Sequence, residues 1–238
     1  MTLIFVGTGI AFDLTLSAIE ELKECGEIYI ERYTNPISDK NIAALEKSCG
    51  KKINLIGRNE VESDFLIKKA ENANSNIALL CSGDPLIATT HISLVIEAKK
   101  RNIKTKIFHN SSIYTAAIGK SGLQAYRFGK SASLVNPREN YKPTSSLDII
   151  RENLVRNLHT LVFLDTEPEP MSAETALEFL KEFKTVILLS RIGEEDEKIL
   201  VGDSKNLMSK VTGKPPFIAI VPAKLHPVEE EYLSFYKA

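Results

Sequence analysis

The feature that most constrains this chain is an alternation of short apolar runs with segments of helical spacing, sustained through Phe108. Thr2–Val6, Ile28–Ile30, Ile53–Ile56, Ile77–Cys81 and Thr105–Phe108 read as strands. Between the first two, Leu14, Ala18, Ile19 and Leu22 share one helical face, with Asp13 or Thr15 as the cap and Gly26 at the end. Ser38 starts a second helix through Ile42 and Leu45, which Gly50 ends. Further helices are predicted from about Glu62 to Glu71 and from about Thr89 to Lys100. Strands this apolar, joined by short helical crossovers, predict a parallel sheet covered on both faces.

After residue 110 the texture changes. A short helix over Ile113–Ile118 leads to strands at Ser131–Val135, Thr160–Leu164, Thr185–Ser190, Ile199–Val201 and Phe217–Val221. Helices are predicted from Ser145 or Ser146 through Leu154, from Ser172 to about Phe183, and over Val228–Phe235. The expected architecture is α/β, in two lobes with a ligand cleft between them. Residues 1–110 form a parallel-sheet lobe and 111–238 a mixed-sheet lobe.

Composition narrows the function classes. A net charge of −1 with scattered Lys and Arg offers no field for a nucleic acid or a membrane surface. No apolar run approaches the length that spans a bilayer, and the first residues read as a strand rather than a signal peptide. Cys25, Cys49 and Cys81 are odd in number and widely spaced, so neither a disulfide framework nor a zinc site is expected, and a reducing cytoplasm is the expected home.

Ser82-Gly83-Asp84-Pro85 halts the fourth strand abruptly, at the end of the sheet where open α/β folds bind ligands. Asp84 can serve a ligand, cap the following helix, or do both. Gly7-Thr8-Gly9-Ile10-Ala11-Phe12, with Glu31 downstream, invites a dinucleotide reading. Phe12 stands where the third glycine of that fingerprint belongs, which favours a tight turn without a phosphate and disfavours a dehydrogenase. His91, His109, His159 and His226 lack metal-ligand spacing and are expected to be satisfied structural histidines. No GxSxG surrounds Ser111 and Ser112, which removes a hydrolase nucleophile. Asp165, Glu167 and Glu169 form either a solvated loop or an acidic rim for a cationic group, and Asn136–Pro143 is a polar, proline-bounded loop.

Longer motifs carry a family resemblance. Phe5-Val6-Gly7-Thr8-Gly9, the run Asp84-Pro85-Leu86-Ile87-Ala88-Thr89-Thr90-His91, Tyr126-Arg127-Phe128-Gly129-Lys130-Ser131, Leu158-His159-Thr160-Leu161 and Pro222-Ala223-Lys224-Leu225-His226 extend almost end to end. On these residues the chain resembles the diphthine synthase family of archaeal type, within the tetrapyrrole-methylase-like methyltransferases. The resemblance implies S-adenosylmethionine as methyl donor, S-adenosylhomocysteine as product, and a homodimer. It implies as substrate the amino group of the 3-amino-3-carboxypropyl-histidine of translation elongation factor 2, trimethylated in the archaeal type. It assigns cofactor contacts to Ile10, Asp84, Ile87, Ser112, Ile113, Leu164, Ile192 and Phe217. Phe217 departs from the histidine frequent at its position, and Gly-Thr-Gly-Ile from the usual Gly-Leu-Gly-Leu.

Methyl transfer from a sulfonium is an in-line displacement governed by positioning, which suits a sequence with no evident nucleophile or metal cluster. The acceptor amine must lose a proton, and Asp84, Asp165 and water all stand as acceptors. The elongation factor is expected to dock near the Asn136–Pro143 loop and Asp165. Rival readings are a precorrin, cobalt-precorrin or ribosomal RNA methyltransferase of the same class, and a non-catalytic nucleotide-binding module.

Overall fold

The computed structural model describes residues 1–33, 37–137 and 144–237. It separates into two units, Met1–Ile113 and Tyr114–Ala238, so the division falls at the start of the helix after the fifth strand rather than at residue 110.

In the first unit β1 (Thr2–Gly7), β2 (Glu27–Glu31), β3 (Asn54–Ile56), β4 (Ile77–Cys81) and β5 (Lys104–Phe108) form a parallel sheet in the order β3-β2-β4-β1-β5. Strand alternation sends successive side chains to opposite faces. Ile4 and Val6 pack on one face with Ala18 and Leu22 of α1 (Leu16–Lys23) and Ile42 and Leu45 of α2 (Asp39–Cys49). Leu3 and Phe5 pack on the other with α3 (Arg58–Glu62), α4 (Phe65–Asn72) and α5 (Ile92–Lys100). Burying each such aliphatic side chain stabilises the fold by about 1.5–3 kcal/mol. The chain leaves β1 toward β2 across β4, and leaves β4 toward β5 across β1. The two helices that follow therefore lie on opposite faces, which makes the ends of β1 and β4 a topological switch point.

Local hydrogen bonding shifts several expected boundaries. The helix expected over Glu62–Glu71 is two helices, because Ser63 donates to Glu60 O (3.1 Å) while its Oγ accepts from Phe65 N (3.2 Å). The helix after β4 starts at Ile92 rather than Thr89: Ala88 takes φ +57° and Thr89 Oγ1 bonds back to Pro85 O (2.7 Å). Gly26 does not end α1, whose C-cap is Glu24; the place of its missing Cβ is filled by the Ser75 side chain.

In the second unit β6 (Ala132–Leu134), β7 (Thr160–Leu164), β8 (Val186–Ser190), β9 (Lys198–Gly202) and β10 (Phe217–Val221) form a mixed sheet ordered β6-β7-β10-β8-β9. β6 and β7 are parallel and the other pairs antiparallel. The helices are α6 (Ile113–Ser121), α7 (Ser145–Val155), α8 (Ala173–Phe179), α9 (Ser204–Lys210) and α10 (Pro227–Ser234). Helix α9 was not expected; its one signal is Asp203, whose side chain accepts from Asn206 N (3.0 Å). The three cysteines are separate buried thiols.

Three of the family-marking motifs meet at one buried carboxylate, Glu229 of α10. Its Oε1 accepts from Gln124 N (2.9 Å), and its Oε2 from Arg127 (2.7 Å) and His226 N (2.7 Å). His159 Nδ1 accepts from Ala223 N (3.0 Å), so Nε2 carries the hydrogen and donates to Glu229 (3.3 Å). Burial pushes the Glu229 carboxyl up, but the hydrogen bonds from Gln124 and His226, with the charge of Arg127, hold it net below the ordinary carboxylate range. Removing this partner takes the acceptor from Arg127 Nη1 and from the Gln124 and His226 N–H groups. Glu229→Ala is expected to destabilise the protein by about 3–5 kcal/mol, read as a lower urea midpoint at unchanged slope.

Burial lowers the pKa of both His159 and His91. Below the unfolded histidine value of about 6.5 the unfolded chain then binds protons more readily than the folded one, so stability falls as pH falls. The depressed Glu229 carboxyl acts in the same direction below about pH 4.3. The melting temperature should drop between about pH 7.5 and pH 5, and the drop should shrink in His159→Gln; a flat profile would contradict this reading.

Candidate functional site

The strand ends at the switch point are zipped together by backbone. Thr8 N donates to Cys81 O (2.9 Å), Gly9 N to Gly83 O (3.1 Å) and Gly83 N to Gly9 O (3.0 Å). Gly9 and Gly83 hold φ of +68° and +76°, the left-handed region where a Cβ is strained. Gly7 is constrained by space: a Cβ there would overlap the carbonyl oxygen of Gly83. Phe12 also takes a left-handed φ of +54°, and α1 begins only at Leu16. A helix start therefore does not follow the glycines directly.

Asp84 ties this zipper to a third strand end. It is buried; its Oδ1 accepts from Leu86 N (2.9 Å), an Asx turn, while Oδ2 accepts from Asn110 N (3.2 Å) and His109 Nδ1 (2.8 Å) just past β5. Asn110 then donates through Nδ2 to Gly7 O (3.1 Å) and to Asp13 O (2.9 Å), and Ser111 N donates to Asn110 Oδ1 (2.8 Å). Ile10 N donates to Ser111 Oγ (3.2 Å). Both Asp84 oxygens are thus engaged inside the fold, and the carboxylate works first as a strut. It does not cap α5, whose N-cap is His91 without a side-chain cap bond.

The first unit brings five of the expected contact residues to these strand ends. Ile10 and Ile113 are half-buried and Ser112 is buried; a Cβ built on Gly83 would sit 3.7 Å from Ser112 Cα. Ile87, in the loop after Asp84, leaves 40% of its surface exposed. The Ser82 hydroxyl is buried without a hydrogen-bond partner among the described residues.

The second unit places the other three at one end of the three central strands of its sheet. Leu164 ends β7, Ile192 follows β8, and Phe217 opens β10 opposite Ser190. Leu164 and Ile192 are buried. Phe217 is half-buried and lines a cavity of about 340 Å³ with Ser172, Glu174, Val211, Thr212 and Pro215. The Asp165 carboxylate accepts from Asn136 N (3.1 Å) and Glu167 N (3.4 Å), so it organises its own turn. Of the expected docking loop, residues 138–143 lie outside the described residues.

The histidines do not share one role. His226 caps α10, His159 serves Glu229, and His91 is buried with Nδ1 on Pro85 O (2.9 Å). His91 Nε2 has no partner among the described residues, so this histidine is not fully satisfied as expected. His109 differs more: its side chain is 66% exposed while Nδ1 is held by the buried Asp84. Only its place at a strand's carboxyl end could have marked it in the sequence.

The family model of Tetrapyrrole (Corrin/Porphyrin) Methylases matches residues 2–208. The chain is 36% identical to the diphthine synthase of Methanocaldococcus jannaschii, covering 98% of each chain. It is 38% identical to that of Methanoregula boonei, covering 98% of this chain and 97% of the relative. A crystal structure of a diphthine synthase superposes with a TM-score of 0.90 at 34% identity, covering 100% of this chain and 96% of that one. With the switch-point turns in place and similarity along the whole chain, this protein belongs to the diphthine synthase family of S-adenosylmethionine-dependent methyltransferases.

Proposed function

We propose that the chain methylates the amino group of the 3-amino-3-carboxypropyl-histidine of translation elongation factor 2, to the trimethyl stage, giving diphthine. The observation that carries this reading is near-full-length similarity to diphthine synthases, joined to a switch-point turn with the family's Asp84–His91 run. The elongation factor is the macromolecular partner in this reading, and the enzyme works in the cytoplasm as a homodimer.

The residues at the strand ends fit a nucleoside-bearing methyl donor. Such a ligand wants aliphatic walls and a few aimed polar groups. Ile10, Ile87 and Ile113 offer apolar surface, and Ser112 and the Ser82 hydroxyl, which has no hydrogen-bond partner among the described residues, offer polar atoms. Leu164, Ile192 and Phe217 are proposed as further contacts on the resemblance alone. S-adenosylmethionine, when bound, supplies a methyl group on a sulfonium, which leaves as the neutral thioether of S-adenosylhomocysteine. The chain's own work is to fix the acceptor amine in line with that methyl and to exclude water. A zipper of backbone hydrogen bonds clamped by Asp84 suits that work, because positional error at the reacting atoms lowers rate steeply.

Incubation with labelled S-adenosylmethionine and elongation factor 2 carrying the partly modified histidine is expected to move label onto the factor, with masses rising in three methyl steps. Label on a corrinoid or on ribosomal RNA instead would establish a rival reading. Tight donor binding with no transfer to any acceptor would point to a non-catalytic module.

Two substitutions test the turn. Gly7→Ala forces the two turns apart and is expected to weaken S-adenosylhomocysteine binding at least about tenfold by calorimetry, whereas Gly50→Ala, with nothing near its Cβ, should cost about 1 kcal/mol of stability and leave binding unchanged. Asp84→Asn points an amide where two donors, Asn110 N–H and His109 Nδ1–H, need an acceptor. It should cost about 1.5–3 kcal/mol of stability and weaken binding; unchanged affinity would remove the turn from the cofactor site.

A further inference from the structure

The acceptor amine raises a chemical demand that the motifs do not meet. An α-amino group has a pKa of about 7.7–8, so near neutral pH most of it carries a proton and no lone pair. Each successive methylation also leaves an ammonium that must lose a proton before it can attack again. A group is therefore needed that takes protons at the site and returns them to water.

Asp84 and Asp165 are poorly placed for this. The carboxylate oxygens of both accept hydrogen bonds that protonation would disturb, and Asp84 is buried. His109 has the complementary arrangement. The Asp84 carboxylate accepts from Nδ1, so Nδ1 carries the hydrogen, and in the neutral ring Nε2 carries the lone pair. Nε2 has no hydrogen-bond partner among the described residues, and the side chain is 66% exposed. A buried carboxylate behind one ring nitrogen and solvent before the other is the arrangement of an oriented general base. The ring follows β5, on the same strand-end rim as Ile10, Asp84, Ser112 and Ile113. Two other ionisable groups belong to these turns. Asp13 lies beside Gly9, with Oδ1 2.7 Å from where a Gly9 Cβ would sit, and His91 is buried against Pro85. Asp84 is the one bonded to His109.

We propose that His109 is the proton acceptor of the methyl transfer and that Asp84 is its positioning residue. The inference rests on the substrate reading above. In the step, the ammonium N–H bond breaks, its electron pair stays on nitrogen, and the proton passes to His109 Nε2. The freed pair forms the N–CH₃ bond while the methyl–sulfur bond breaks, its pair remaining on sulfur. The imidazolium, stabilised by Asp84, then gives its proton to water through its exposed face.

The test uses the full-length enzyme, its modified elongation factor substrate, and the variants His109→Asn and His109→Gln. Asn keeps a donor toward Asp84 but supplies no base, so it separates orientation from proton transfer. Both variants should lower kcat about 100-fold or more at pH 7, with S-adenosylhomocysteine affinity and thermal melts close to wild type. The defect should shrink toward pH 9, where the amine is already neutral. A purely structural role predicts a pH-independent defect that His109→Asn repairs. Wild-type kcat in both variants, or a defect equal at pH 7 and pH 9, overturns the proposal. A wild-type enzyme that moves no label to the elongation factor overturns the substrate reading and this inference with it. A wild type that transfers normally beside unaffected variants overturns the inference alone.

Discussion

Everything at the site of this protein depends on two backbones being allowed to touch. The turns after β1 and β4 exchange hydrogen bonds between Gly9 and Gly83, and Gly7 lies so close to Gly83 that a methyl group does not fit between them. That approach fixes where the rim residues start. The topology explains why the contact is worth keeping: β1 and β4 send their helices to opposite faces, and the gap between the departing chains is where an open parallel sheet receives a ligand.

The strands were legible because their signal is short-range. An apolar run bounded by polar or glycine residues is complete within about five residues, so β1, β4, β7, β8 and β10 fall where the pattern puts them. Helix limits were less legible, because a single side chain can decide them. Ser63 splits α3 from α4 through bonds to residues three and two positions away, and Thr89 holds back α5 by bonding to Pro85. Helix α9 is short and polar, with almost no apolar periodicity to announce it.

Roles set by distant partners were not legible at all. Asp84 reads as a ligand group because of its turn, yet its partners include Asn110 and His109, which the sheet brings round from another strand. The motifs that mark the family after residue 120 likewise say nothing of Glu229, although Arg127, His159 and His226 all converge on it. Those motifs mark a buried polar network, where substitution of one member strands the others. A family signature can thus record a fold's least negotiable interaction as readily as its chemistry. It follows that matching these motifs argues for common descent and a common second unit more directly than it argues for a common substrate.

The position of His109 shows how strut and chemistry are joined. β5 is an edge strand, paired among the described residues with β1 alone and partly exposed along its length. A residue at its end would fray more readily than one at the end of a central strand. Asp84 and Asn110 remove that freedom by bonding the β5 terminus to the ends of β4 and β1. The same carboxylate that braces the edge also aims the imidazole, so bracing and proton handling cannot be varied independently at Asp84. They can be at His109, where the side chain is exposed and the brace to Asn110 survives its replacement.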